Sequence, residues 1–282
     1  MDRDPSRRIV IKLGGRALEA PGAAQELAAE LARLLGQAVL VHGGGGEVSA
    51  WCERLGLEPR FENGLRVTDA TTLEVAAAVL AGLANKQLVA GLRAHGVDAI
   101  GLSALDGGLV EVQPHPDAAR LGRVGAVAAV HPALLETLLH HGHLPVLASL
   151  GAFEGGLLNL NADDLAAALA AALHATALVL LSDVPGVRLG GEPVRRIDRH
   201  ELDRVITDPE VTGGMVAKLI ASRSAIDDGV ACVHIAAWQG AGTLRDIIGG
   251  AGNGTMLTSA SGNLVSSPER GIPASAGMGD RT

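Results

Sequence analysis

Short apolar runs alternate with longer Ala- and Leu-rich amphipathic stretches along most of this chain, and that alternation confines it to folds in which strands are connected by crossover helices. Candidate buried strands are residues 9–13, 38–42, 97–101, 144–148, 177–182 and 231–235. Candidate helices are 22–36, 46–56, 72–80, 84–95, 132–141, 162–173, 215–228 and 242–248. Runs such as Ile9-Val10-Ile11 and Leu178-Val179-Leu180-Leu181 have no polar alternation, so both faces are expected to be covered, as in a mainly parallel α/β sheet. Residues 107–130, with Gly-Gly, two Pro-flanked turns and alternating Val, read as β-ribbon.

At 282 residues the chain is long enough for one large α/β domain or two closely packed lobes. The strand-helix pattern restarts after residue 174, which puts a lobe boundary near 174–176: residues 1–175 form one expected unit and 176–258 the other. Beyond Thr258 the Ser, Gly, Asn, Pro and Ala run lacks apolar periodicity, and 259–282 is expected to be a disordered tail. Hydrophobic residues make up 48% of the chain but aromatics only 1%, so Ala, Leu, Val and Ile must fill the core.

A net charge of −8 argues against a nucleic-acid partner held by general phosphate attraction, while local lysines and helix ends can still attract a small anion. Cys52 and Cys232 have neither paired nor metal-ligand spacing and read as reduced thiols of a cytoplasmic protein. Residues 1–8 carry charge without an apolar signal region, and no run approaches the roughly 18 apolar residues of a membrane span. The expectation is a soluble protein with no membrane partner. His140, His141 and His143 fit no metal-triad spacing, and no metal site is expected from side chains.

Six constellations carry the chemistry. Lys12-Leu13-Gly14-Gly15 closes the first strand: glycines let backbone N–H groups approach phosphate oxygens, and the lysine adds a point charge. A solvated lysine before a tight turn is the plainer account of the same residues. His42-Gly43-Gly44-Gly45-Gly46 follows the second strand and feeds a helix N-terminus, an anion cradle by geometry and by dipole. It matches neither a Walker A loop nor a complete Gly-x-Gly-x-x-Gly.

Asn161 is placed to cap a helix whose first turn holds Asp163 and Asp164. If Asp163 points into a cleft, it can hold both Lys12 and Lys218. Lys218 follows Gly213-Gly214 and falls in the first turn of the expected helix, where a cation opposes the dipole; that local cost hints at function, though a flexible stem reaching solvent also explains it. Arg66, in the turn Asn63-Gly64-Leu65-Arg66, offers a fork for a carboxylate, and Ser182-Asp183-Val184-Pro185-Gly186 ends an apolar strand where ligands collect in open sheets. Two lysines and two glycine loops supply the positive charge and placement that phosphoryl transfer requires.

In order along the chain, Lys-Leu-Gly-Gly, His-Gly-Gly-Gly, Asn-Gly-Leu-Arg-Val-Thr-Asp, Ala-Gly-Leu-Ala-Asn-Lys, Asn-Leu-Asn-Ala-Asp, Leu-Ser-Asp-Val-Pro-Gly-Val and Gly-Gly-Met-Val-Ala-Lys resemble the N-acetylglutamate kinases of the amino-acid kinase family, over about residues 8–258. The resemblance implies an open three-layer αβα sandwich of two lobes, the first for an acylamino acid and dimer contact, the second for ATP. It implies attack of a γ-carboxylate on the γ-phosphoryl group in arginine biosynthesis. Lys12 and Lys218 would stabilise the transition state, with Asp163 orienting both. Gly14, Gly15, Gly44 and Gly45 would face the phosphoryl group and substrate, Arg66 would hold the α-carboxylate and Asn159 the amide region. Ser182, Asp183, Gly186, Val211 and Thr212 would border the nucleotide, whose phosphates would carry most of the Mg2+ coordination.

Ala104, Ala217 and the Ala236-Ala237-Trp238-Gln239 turn depart from the family pattern. Only eight residues, Pro5 among them, precede Ile9, so the expectation is a homodimer insensitive to arginine, without the additional N-terminal helix of hexameric members. The alternatives are a related kinase acting on carrier-linked aminoadipate or glutamate, and a catalytically silent acylamino-acid sensor.

Overall fold

The computed structural model describes residues 7–14 and 22–259. Eight strands form one main sheet: β1 (Ile9–Leu13), β2 (Ala38–His42), β3 (Ala99–Ser103), β4 (Leu144–Ala148), β5 (Ala177–Ser182), β6 (Arg196–Asp198), β7 (Cys232–Ala237) and β8 (Thr255–Thr258). Their spatial order is β6-β8-β7-β5-β1-β2-β4-β3. From β3 across to β7 all neighbours are parallel; β8 runs antiparallel to β7, and β6 pairs parallel with β8. All residues of β1, β2, β4 and β5 are buried, the signature of strands covered on both faces.

The covering helices are α1 (Ala23–Leu31), α2 (Gly45–Arg54), α3 (Ala70–Ala94), α4 (Ala133–His140), α5 (Ala162–Ala172), α6 (Arg199–Ile206), α7 (Gly214–Asp227) and α8 (Thr243–Ile248). Alternation along the strands sorts the core in two. Val10, Val41, Leu178 and Leu180 pack with Leu165 and Leu169 of α5 and Leu219 and Ile226 of α7. Ile9, Ile11, Leu40 and Leu181 pack with Leu27 and Leu31 of α1, Leu92 of α3, and Leu244 and Ile247 of α8. The result is the expected αβα sandwich. Truncating any of these leucines to alanine would remove about 2–5 kcal/mol.

One carboxylate joins distant ends of the second layer. Glu30 of α1, 5% exposed, accepts from the backbone N–H of Gly242 (2.7 Å) and Arg245 (3.0 Å), and so caps the N-terminus of α8.

Several elements differ from expectation. Helices anticipated over 72–80 and 84–95 are one continuous helical run, α3, because Ala78–Ala84 widens into π geometry instead of breaking at Gly82. By length and composition α3 is long and apolar enough to cross a membrane. Its uninterrupted apolar stretch, however, lies between Glu74 and Asn85-Lys86, and Val75, Ala76, Val79, Leu80 and Leu92 are buried within the protein.

The strand anticipated at 97–101 is shifted to 99–103, since Val97 and Asp98 still belong to the helix-to-strand turn. The ribbon expected over 107–130 pairs Val110–Pro114 with Val124–Val130 around a short helix, Ala118–Leu121. Two unanticipated strands, Leu150–Phe153 and Gly156–Leu160, extend it into a four-stranded sheet. The expected boundary at 174–176 falls between α5 and β5, where His174 takes a left-handed conformation (φ 48°) and the chain crosses from one side of β1 to the other. The tail assignment for 259–282 falls, beyond Ser259, outside the described residues.

Candidate functional site

β1 sits between β2 and β5, where the strand order reverses, and open α/β sheets bind ligands at the carboxyl ends of strands around such a switch point. Lys12 lies one residue before the end of β1, in register with Val41 of β2 and Leu180 of β5. It shares the face of Val10, so its side chain emerges on the side covered by α5 and α7.

The helices arriving there bring the other two charges. Asn161 caps α5 through Oδ1, which accepts from the N–H of Asp163 (2.8 Å) and Asp164 (3.2 Å). Asp163 is thereby fixed in the first turn, where the helix dipole favours a negative charge. α7 starts at Gly214, one residue earlier than its spacing suggests, after Gly213 in a positive-φ conformation (54°). Lys218 therefore stands just past the first turn.

The three side chains meet. Asp163 Oδ1 is 2.9 Å from Lys12 Nζ and Oδ2 is 2.9 Å from Lys218 Nζ, with side-chain exposures of 8%, 9% and 13% respectively. Burial pushes the Asp163 carboxyl up, but the ammonium groups on its two oxygens outweigh burial and hold it below the usual carboxylate range. Burial also pulls Lys12 below the usual lysine value, with Asp163 opposing and the nearby Lys218 adding to the fall. Two cations against one anion leave a net positive centre in a water-poor cleft, suited to an incoming phosphoryl group.

Two cavities flank this triad. One, of about 200 Å3, is lined by Lys12, Asp163, Gly44, Gly45, Arg66 and Asn159, with Val48, Ala76, Leu80 and Val124 as apolar wall. The other, of about 510 Å3, is lined by Lys218, Ser182, Asp183, Gly186, Val211 and Thr212. Gly14 borders an adjoining space of about 380 Å3 with His42, Gly43 and Gly44. Gly15 lies outside the described residues.

Local conformation explains how these positions are reached. Gly14 N–H donates to the Leu181 carbonyl (2.9 Å), and a Cβ there would stand 3.0 Å from that oxygen, so any side chain would crowd β5 at the mouth of the cleft. Gly44 and Gly45 open α2, and the first N–H groups of a helix have no partner in the preceding turn. Asn63 (φ 49°) and Gly64 (φ 81°) form the tight turn of a hairpin that pairs Phe61 with Arg66.

Arg66 is 7% exposed. Its Nη2 donates to the Gly45 carbonyl (2.6 Å) and Ser49 Oγ (2.8 Å), and its guanidinium lies over the Phe61 ring at 4.6 Å. Nη1 is buried without a partner at the cavity wall, half of a fork held ready for a carboxylate. Asn159 Nδ2 donates to Thr68 Oγ1 (3.3 Å).

Ser49, which holds Arg66, was not singled out by sequence, because the contact exists only once the Arg66 hairpin folds over α2. His42 and Asn85 stood inside recognised motifs without a role, yet both are buried, His42 against Gly43 and Asn85 against His42.

This sheet, cleft and charge triad define a phosphotransferase. The amino acid kinase family model matches residues 7–237, and the chain belongs to that family. It is 43% identical over 242 residues to acetylglutamate kinase of Roseiflexus castenholzii, covering 85% of this chain and 92% of the relative. It is 46% identical over 230 residues to acetylglutamate kinase of Methanopyrus kandleri, covering 78% and 91%. A solved Streptococcus mutans protein superposes with a TM-score of 0.77 at 30% identity, covering 90% of this chain and 100% of that one.

Proposed function

We propose that the protein is an acetylglutamate kinase, which transfers the γ-phosphoryl group of ATP to the γ-carboxylate of N-acetyl-L-glutamate in arginine biosynthesis. The observation that carries this reading is one Lys12–Asp163–Lys218 triad standing between two cavities, with Lys12 and Asp163 lining one and Lys218 the other. The names of its relatives at 43% and 46% identity support the choice of acceptor.

The smaller cavity takes the acylamino acid: Arg66 Nη1 meets the α-carboxylate, Asn159 the amide, and Val48, Ala76, Leu80 and Val124 the acyl group. The larger takes the nucleotide along Ser182, Asp183, Gly186, Val211 and Thr212. A γ-carboxylate oxygen forms the new O–P bond as the bond from the γ-phosphorus to the bridging oxygen breaks, and ADP leaves with that electron pair. The carboxylate is already ionised near neutral pH, so no proton has to move. Lys12 and Lys218 meet the charge spread over the equatorial oxygens, Asp163 keeps them a fixed distance apart, and the Gly44 and Gly45 N–H groups complete the cradle. Mg2+ neutralises phosphate charge when bound, held mainly by the nucleotide oxygens; among the described residues, no group of three or more His, Cys, Asp or Glu side chains gathers into a metal site.

Residues 1–175 form the substrate lobe with the dimer contact and 176–258 the nucleotide lobe, in a cytoplasmic homodimer. An ADP-release assay with N-acetylglutamate tests the reading. Turnover on it, exceeding that on carrier-linked aminoadipate or glutamate, is the expected result; turnover on the carrier-linked acid alone, or saturable binding without any turnover, would replace it.

A further inference from the structure

Asn85 sits where the wide π segment of α3 returns to α-helix, and it is completely buried. Its Nδ2 lies 3.0 Å from the Val146 carbonyl, 3.3 Å from the Leu102 carbonyl and 3.0 Å from His42 Nε2. Its Oδ1 accepts from Lys86 Nζ (3.1 Å). Two carbonyls on one side and an ammonium on the other admit only one orientation of the amide: the NH2 must face the carbonyls, and therefore also the histidine. Gly101 on β3 leaves the room, since a Cβ there would stand 2.2 Å from Asn85 Oδ1.

This orientation dictates the state of His42. Facing a group that only donates, Nε2 has to accept, so the ring proton resides on Nδ1. Nδ1 is 2.8 Å from the Gly43 carbonyl oxygen, to which it donates. Burial depresses the basicity of the 3% exposed ring, the Gly43 bond works against that, and the Lys86 charge reinforces it, so the ring stays neutral.

The Gly43 carbonyl and the Gly44 N–H belong to one planar trans peptide and point in opposite directions. Anchoring the carbonyl toward His42 sends the Gly44 N–H the other way. Gly44 lines the cavity shared by Lys12 and Asp163.

We propose that Asn85 and His42 are positioning residues: Asn85 selects the Nδ1–H tautomer of His42, which anchors the Gly43–Gly44 peptide so that the Gly44 N–H faces the transferred phosphoryl group. The role in turnover rests on the kinase reading; the tautomer does not.

Nitrogen-15 NMR of histidine-labelled protein, with His42 assigned by its loss in His42→Asn, reads the tautomer directly. Wild type is expected to carry the proton on Nδ1 of His42, and Asn85→Leu to lose that preference. Kinetics supply the second arm. An Asn amide nitrogen overlays Nδ1 and a Gln amide nitrogen overlays Nε2, so His42→Asn keeps the donor to Gly43 and His42→Gln does not. His42→Asn should retain kcat within about threefold, whereas His42→Gln and Asn85→Leu should lose about 10- to 100-fold with KM little changed, the cost of a misaimed donor.

Equal kcat for the two His42 variants at matched thermal stability would overturn the proposal. So would an Nε2–H ring in the wild type, which decides the matter even if every variant unfolds, because couplings from the ring to its own backbone then assign His42 without a variant. A protein without N-acetylglutamate kinase activity but with the Nδ1–H tautomer would remove the kinase reading and leave the anchor standing.

Discussion

Replacing Asp163 by Asn is the sharpest probe of the triad, because it keeps the side chain's shape and removes only the charge between two ammonium groups. Each ion pair spans 2.9 Å. At an effective dielectric of about 20 that distance corresponds to about 6 kcal/mol of gross attraction per pair, most of it offset by the desolvation of burial. Removing one partner of a buried pair typically costs about 3–5 kcal/mol, and the hydrogen-bonding amide places Asn at the lower end. For a chain of this size, a 3 kcal/mol loss lowers the melting temperature by roughly 6–12 °C. Circular dichroism should therefore still report a folded protein at 25 °C.

Turnover should fall by at least about 10²-fold, since both fixed cations lose their common anchor. The pH profile gives the diagnostic sign. Burial has already lowered the Lys12 value while Asp163 opposes that fall, so the Asn variant should lose its Lys12 proton at still lower pH, and the alkaline limb of kcat should move toward neutrality. On the acid side, the depressed Asp163 value contributes stability that is fully present above the unfolded carboxylate value of about 4 and is lost as pH falls through the lower folded value. That acid-side loss should vanish in the variant. Stopped-time ADP release across pH 6–10, paired with thermal melts, measures both limbs; a near-wild-type kcat with an unmoved alkaline limb would refute the account of the triad.

Lys218→Ala should cut kcat by about 10²–10³-fold with the fold preserved, because its stem reaches the cleft from an otherwise intact α7; a rate near that of the wild type would take this residue out of the mechanism. Arg66→Lys should raise the KM for the acylamino acid far more than it changes kcat, since a point-like ammonium cannot reproduce the planar fork whose Nη2 holds Gly45 and Ser49 while Nη1 faces a carboxylate. Initial rates against substrate concentration check that split, and an unchanged KM contradicts the assignment. Glu30→Ala should cost about 1–3 kcal/mol in denaturant melts by leaving the Gly242 and Arg245 N–H groups without a buried acceptor, whereas a stability loss below 0.5 kcal/mol would mean water replaces the cap.

The centre of the fold was legible because it obeys local rules. β1, β2, β4 and β5 begin and end where their apolar runs do, and Asn161 caps α5 as its side-chain chemistry demands. Asn63-Gly64 announces the Arg66 hairpin by the same kind of rule. The edges were not legible: β6, β8 and the strands at Leu150–Phe153 and Gly156–Leu160 are short and broken by polar residues or glycine, and exist because a neighbouring strand offers hydrogen bonds. α3 misled for another reason. Gly82 lowers helix propensity, but the apolar residues on either side gain more by packing continuously than a break would save.

At the site, residues with visible charge were found, and residues acting through them were not. Lys12, Lys218 and Arg66 advertise themselves by charge near glycine and Asp163 by charge at a capped helix start; Ser49 and Asn85 are ordinary polar residues whose importance depends on what lies across a turn or a neighbouring strand. No spacing rule in one sequence encodes those distances.

The cationic cleft belongs to a molecule with a net charge of −8. An approaching nucleotide or dicarboxylate is therefore repelled by the exterior at long range and attracted only over the last several ångströms, inside the screening length of about 8 Å at physiological ionic strength. Moderate salt should consequently speed the entry of such ligands by muting the outer repulsion, while the sheltered lysines, shielded by protein from mobile ions, keep their hold.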